Sequence, residues 1–143
     1  MGTKQKSTKK EAVKSGAFVE SLHAKERFEK LSDGWIRDNL LWLDWGPTAA
    51  ESMNFKAAEI YCAGQGGRLP TIDELRLLID YNRFNPAINE IFSDTRGDWY
   101  WTSSPYKNPN WPGCAWCVRF SSGSVGDGPK GSAYCVRPVR ASQ

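Results

Sequence analysis

The sequence predicts an α+β domain, two helices packed on antiparallel β-sheet with a loop-rich C-terminal half. Three observations carry this. Aromatic and β-branched runs stand near both ends, at "RFEKL" and "WIRDNLLWLDW" and again from Trp99 onward. Two segments between them have helical periodicity. The rest, notably 82–98 and the last third, is broken by Gly, Pro, Asn and Asp. With 143 residues, 40% apolar content and seven tryptophans, the chain can bury one core of ordinary size.

The chain divides into a tail, 1–24, and a domain, 25–141. Five lysines (Lys4, Lys6, Lys9, Lys10 and Lys14) face Glu11 alone in the first 14 residues, so the remainder carries −1 of the net +3. A nucleic-acid binder would carry its basic charge on the folded face that tracks phosphates, so nucleic acid is not an expected partner. The tail reads as a solvated arm, flexible or serving oligomerisation, and a homo-oligomer is open. No run approaches 18 apolar residues, so no membrane insertion is expected. The N-terminus lacks the apolar core of a signal peptide. Localisation stays open between an intracellular, a virion-borne and a cell-surface setting, and the chain is readable as a piece of something longer.

In order, "SDGW" (32–35) places the Asp-Gly of a tight turn between two strands. A helix over about 54–63 puts Phe55, Ala58, Tyr61 and Cys62 on one face, with Gly64 ending it. A second helix starts in "PTIDELRLLIDY", with Thr71 as N-cap, Glu74 completing a capping box, and Leu75, Leu78 and Ile79 as its buried stripe. Arg96-Gly97-Asp98 matches an integrin-binding tripeptide, but a turn leading into a strand is the reading carried forward. "WYWTSS" is a strand and "KNPNWPG" a loop; "AWCVRF", "SGSV" and "AYCVRPVR" suggest a meander with Gly-rich turns. Trp35, Trp42, Trp45, Trp99, Trp101 and Trp116 fall in expected strands, where large rings fill a core. Trp111, in the Pro-flanked loop, and Tyr106 are the expected exposed aromatics.

Catalytic chemistry finds little support. The single histidine, His23, adjoins the tail, which removes Ser-His-Asp and multi-His metal arrangements unless it folds back. The carboxylates are scattered over turns and caps, with no spacing suited to acid–base work. No enzyme activity, cofactor or metal is therefore expected. Cys114-Ala-Trp-Cys117 is formally C-x-x-C, yet it enters a strand rather than a helix N-terminus, and no second C-x-x-C accompanies it. For Cys62, Cys114, Cys117 and Cys135, a metal or redox role, a disulfide and free thiols all stay open, free thiols being the reading carried forward.

"RFEKLSDGWIRDNLLW" (27–42), "AEIYC" (58–62), "GGRLPTIDEL" (66–75), "YWTSS" (100–104), "AWCVRFSSGSV" (115–125) and "YCVRPVR" (134–140) follow one another in this chain. Together they resemble the Lcl C-terminal domain family over roughly 27–140. The resemblance implies a C-type-lectin-like fold used for binding in adhesins, pilus tips and phage or viral receptor-binding proteins. The chain departs from the family pattern in two places. Gly66-Gly67 precede Arg68 where members often have Asp-Trp, and Pro138 stands where many carry Cys. Cys135, three residues earlier, would face the other way on a strand, so a bridge from Cys62 to the last strand is not expected.

The C-terminal segment also resembles the variable region of proteins diversified by retroelements that randomise template adenines. Asn codons altered at their first two bases reach Gly, Ser, Cys, Asp, Arg and Ala, among others, but not Trp, Lys or Glu. Within 106–135, Trp116, Val118, Phe120 and Val125 look like scaffold facing a core. Cys114, Cys117, Arg119, Ser121, Ser122, Ser124, Gly126, Asp127, Gly128, Ser132, Ala133 and Cys135 are all reachable residues and would form a varied, solvent-facing surface. Tyr106, Asn108, Asn110 and Trp111 would form one rim. The expected function is a ligand-binding module for receptor recognition or adhesion, with a surface protein or glycan as partner. Arg119 and Asp127 would supply charged contacts, and multivalent display would raise a weak affinity. The alternatives are a glycan-binding adhesin domain without diversification and, further off, an oxidase resembling formylglycine-generating enzymes, which use a cysteine pair with copper.

Overall fold

The computed structural model describes residues 26–143; the tail and His23 lie outside it. Among the described residues seven strands form two antiparallel sheets, with two helices, so the domain is α+β and mostly sheet. Strands β1 (Phe28–Lys30), β2 (Ile36–Asp38), β3 (Leu43–Trp45) and β7 (Val139–Ala141) make the first sheet, in the order β1-β2-β3-β7. Strands β4 (Trp99–Pro105), β5 (Cys114–Arg119) and β6 (Ser124–Pro129) make the second, in the order β4-β5-β6. Helix α1 spans Phe55–Gly64 and helix α2 Ile72–Arg76.

The expected Asp33-Gly34 turn joins β1 to β2, with Gly34 at φ 89°. "WIRDNLLWLDW" is not one strand, because Asp38 breaks it. Its buried carboxylate accepts from the Leu40 and Leu41 amides (3.0 and 3.3 Å), turning the chain back into β3. The same carboxylate binds Arg27 through Nε (2.9 Å) and Nη2 (2.8 Å), and accepts from Trp45 Nε1 at 3.2 Å. Trp42 sits in this turn at φ 55° and is 69% exposed, correcting its expected place in the core. Trp35, Trp45 and Trp101 are buried as expected, while Trp99 and Trp116 are half-buried.

Helix α1 begins at the N-cap Asn54, whose side chain accepts from the Ala57 amide, and it buries Phe55, Ala58 and Cys62. The capping box at α2 is complete: Thr71 Oγ1 accepts from the Glu74 amide and Glu74 Oε1 from the Thr71 amide. Helix α2 is shorter than its apolar stripe suggests. It ends at Arg76, and Leu78 reaches the core from the following turn. No helix among the described residues is long and apolar enough to cross a membrane.

Two apolar cores lie on opposite faces of the second sheet. One gathers Leu75, Leu78, Ile88, Phe92, Tyr100, Val118 and Phe120 with Ile36, Leu43, Trp45 and Val139 of the first sheet. The other joins Phe55, Ala58 and Cys62 of α1 to Trp101, Ala115, Cys117 and Val136. The segment expected as a last meander strand instead runs parallel beside β4 at Cys135, then crosses to the first sheet as β7. In the Arg96–Asp98 tripeptide, Arg96 donates to the Ala50 carbonyl and the Asp98 carboxylate accepts from the Trp99 amide, so the stretch serves as a turn.

Candidate functional site

Strand β5 pairs along its length with β6, Cys114 opposite Pro129 through Arg119 opposite Ser124. Alternation then fixes the two faces. Trp116 and Val118, with Asp127 and Val125, share one face; Ala115, Cys117 and Arg119, with Gly128, Gly126 and Ser124, share the other. Both faces are covered over the middle of β5, one by each core, and this overturns the expectation that Cys117 lies on a solvent-facing side. Cys117 is fully buried under α1, in the second core.

The other expected surface residues divide in the same way. Cys114 and Cys135 are buried as well, Cys135 in the first core, with its amide donating to the Trp99 carbonyl at 2.8 Å. Gly128 is buried because the Tyr134 ring lies on it; a Cβ there would stand 2.3 Å from Tyr134 Cε2. Gly126 is half-buried beneath the Trp99 ring, 2.9 Å from where its Cβ would be. These five positions carry the scaffold, and each is small because a ring or a core occupies the space a larger side chain would need. Conversely Val125, expected to face the core, is 43% exposed, because its cross-strand neighbour Val118 already fills the site beneath α2.

Arg119, Ser122, Ser124, Asp127, Ala133, Asn110 and Trp111 are exposed, the last at 61%. Ser121, Ser132, Tyr106 and Asn108 are half-exposed. Tyr106 packs edge-on against Trp116, ring centres 4.9 Å apart, and Asn108 Nδ2 donates to Tyr106 Oη at 3.4 Å. Asn108 also accepts from the Asn110 amide at 2.9 Å, which folds the rim loop under Trp111 without calling on the Asn110 side chain. Across the hairpin, Asp127 stands beside Trp116. Among the described residues neither Arg119 nor Asp127 forms an ion pair or a side-chain hydrogen bond. Ser122 and Ser124 hydroxyls meet at 3.0 Å over the hairpin end.

Two exposed aromatics belong to this end of the molecule and were not anticipated. The Tyr81 ring lies against Gly123, the turn residue at φ 86°, and Tyr81 is 76% exposed. Phe84 is 77% exposed, and the Asn85 amide beside it donates to the Ser121 carbonyl at 2.7 Å. The signal was present in the sequence: Phe84 stands two residues before Pro86 in a turn-forming stretch, as Trp111 stands beside Pro112.

The thiols have little chemistry open to them. All four cysteines are free and buried. Burial pushes the Cys62 thiol up to about 12, and burial together with nearby Asp127 and Cys114 does the same to Cys117. Cys114 and Cys117 are three apart on a strand and point to opposite faces of the sheet, so the C-x-x-C spacing does not bring the sulfurs to one site. Among the described residues no group of three or more His, Cys, Asp or Glu side chains could hold a metal ion. A cavity of about 280 Å³ opens at the start of β1, lined by Glu26, Arg27, Asn39 and Leu40. Its polar lining is committed elsewhere, Arg27 to Asp38 and to the Leu77 carbonyl, Asn39 to the Glu26 carbonyl.

The molecule is thus an α+β domain whose second sheet, held between two cores, carries an exposed hairpin with unpaired charges and aromatic neighbours. The chain belongs to the Lcl C-terminal domain family, which matches it over residues 34–140. No curated protein matches it.

Proposed function

We propose that the chain is a non-enzymatic ligand-binding module, for receptor recognition or adhesion, in which a fixed scaffold displays the surface of β5, β6 and the adjoining loops. The observation that carries this is the division within one hairpin. Its buried positions are locked into two cores, while Arg119 and Asp127 are exposed charged side chains with no ion-pair or hydrogen-bond partner among the described residues. Such groups add little to folding and are free to meet a partner. Trp111, Tyr81 and Phe84 supply exposed rings of the kind that anchor interfaces. Family membership and the return of β7 to the sheet of β1 support a C-type-lectin-like scaffold. The partner is a surface protein or glycan, engaged weakly by one copy and more strongly by several. The depth of Cys117 and its elevated thiol pKa weigh against an oxidase that uses a cysteine pair.

The displayed positions are also proposed to be diversified, in a narrower set than codon logic alone suggests: Arg119, Ser121, Ser122, Ser124, Asp127, Ser132 and Ala133. Sequencing this gene and its flanks across a population tests this. Substitutions should gather at those seven positions, spare Cys117, Gly128 and Cys135, and be matched by an adenine-rich partial copy nearby. Equal fixation of displayed and buried positions would remove diversification and leave one specific binding site.

A further inference from the structure

Among the described residues the second sheet ends in an open edge. Lys130 N donates to the Gly113 carbonyl at 3.0 Å across the hairpin, so Gly113 and Lys130 form a hydrogen-bonded pair. Antiparallel ladders alternate, which makes Ala115/Gly128, Cys117/Gly126 and Arg119/Ser124 the other hydrogen-bonded pairs. The far side of β5 agrees: the Phe120 amide donates to the Asp98 carbonyl, turning the even-numbered residues toward β4. Val125 and Asp127 therefore occupy the non-hydrogen-bonded pairs, opposite Val118 and Trp116, and their N–H and C=O groups point away from β5. Among the described residues no strand pairs with that side of β6 and no group hydrogen-bonds to Val125 or Asp127 there; only the Pro129 carbonyl, at the strand's end, is taken, by the Ser132 amide at 2.9 Å.

We propose that this edge binds an extended peptide segment of a partner protein by strand addition, and that the segment carries a basic residue followed two positions later by an apolar one. Strand addition satisfies the outward amides and carbonyls of Val125 and Asp127 together. An antiparallel segment hydrogen-bonded there places one residue opposite Asp127 and the residue two further on opposite Val125. The carboxylate of Asp127 is exposed and, among the described residues, unpaired, which selects Lys or Arg; the exposed Val125 side chain selects an apolar neighbour. A second copy is the poorer occupant, because it brings another Asp127 to the same face. Pro129 closes the edge by lacking an N–H, which limits the added strand to the Val125–Asp127 stretch.

The inference rests on reading the hairpin as a binding surface and adds a main-chain mode of recognition to it. The test titrates the full chain with the peptide acetyl-Ser-Thr-Lys-Thr-Val-Thr-Ser-amide by isothermal calorimetry. Saturable binding is expected. It should weaken about fivefold when Glu replaces the peptide's Lys, and about tenfold or more when the Lys and Val amides of the peptide are N-methylated. Val125→Pro and Asp127→Pro should each weaken it at least as much, since each removes an outward N–H without breaking the ladder to β5 and alters the selecting side chain as well; the N-methyl peptide isolates the main-chain loss on unaltered protein. Absence of binding at millimolar peptide, equal affinity for the Glu or N-methyl peptide, or concentration-dependent dimerisation abolished by Val125→Pro would each overturn the proposal, the last by making a second copy the occupant. The population survey reads side chains and this titration reads main chain, so either can fail while the other stands.

Discussion

In the four-stranded sheet two carboxylates, Asp38 and Asp44, are buried and engaged, whereas in the three-stranded sheet the charged side chains stand in water. Asp44 of β3 has Arg37 of β2 on one flank and Arg140 of β7 on the other, and its carboxylate accepts from both (3.2 and 3.1 Å) and from Ser142 Oγ at 3.1 Å. Arg137 is buried just before β7, donating to the Gly46 carbonyl, Asp94 and Thr95. In the second sheet the buried positions of the hairpin are apolar or glycine, among them Cys117, Val118, Phe120 and Gly128, and its charges are outside. The comparison teaches that polarity alone does not mark a binding residue. A charge with several short internal bonds belongs to the scaffold; a charge with none is available to a ligand.

The strongest way to break this comparison is to remove a scaffold charge. Asp38→Ala withdraws the acceptor for Arg27, for two turn amides and for Trp45 Nε1, leaving these donors without the buried carboxylate they share. It should cost about 3–5 kcal/mol in denaturant-induced unfolding. A loss below about 1 kcal/mol would mean that the buried charges of the first sheet do not hold it together. An intermediate effect is expected at Gly128. Gly128→Ser drives a Cβ into the Tyr134 ring and should cost about 1–3 kcal/mol, while Gly131→Ser, with nothing within 4 Å of its Cβ site, should stay within about 0.5 kcal/mol. Equal effects at the two glycines would dissolve the distinction between packed and displayed small residues.

That distinction is also where the sequence stopped being informative. Helix α1, the capping box at Thr71, the Asp33-Gly34 turn and the strand "YWTSS" were legible because each rests on neighbours in sequence. The split of "WIRDNLLWLDW" was not, because it depends on what the Asp38 side chain binds, including Arg27 from just before β1. The burial of Cys117 was missed for a related reason. Period-two alternation separates the faces of a strand, and one covered face is the usual outcome in an antiparallel sheet. Here α1 covers the second face too, and nothing within "AWCVRF" announces a helix packed from far earlier in the chain, at Phe55–Gly64. Cys, Gly and Ser look alike as small residues. Whether each is small because it is displayed or because a ring lies on it is a tertiary fact, and Trp99 and Tyr134 supply that ring for Gly126 and Gly128.

The smallest expected effect sharpens the comparison most. Arg119→Ala and Asp127→Ala should each change unfolding free energy by no more than about 0.5 kcal/mol, because neither side chain has a bond to lose among the described residues. In the double variant the two effects should simply add. A destabilisation near that of Asp38→Ala would reveal a structural partner and return the residue to the scaffold. Near-zero effects at both, set beside a large loss at Asp38, would show that this fold spends its buried charges on the first sheet and leaves those of the hairpin free. The cost of exposing Arg119 and Asp127 is then negligible to the fold, so their identity is set by what they meet outside the molecule and can change without changing the scaffold.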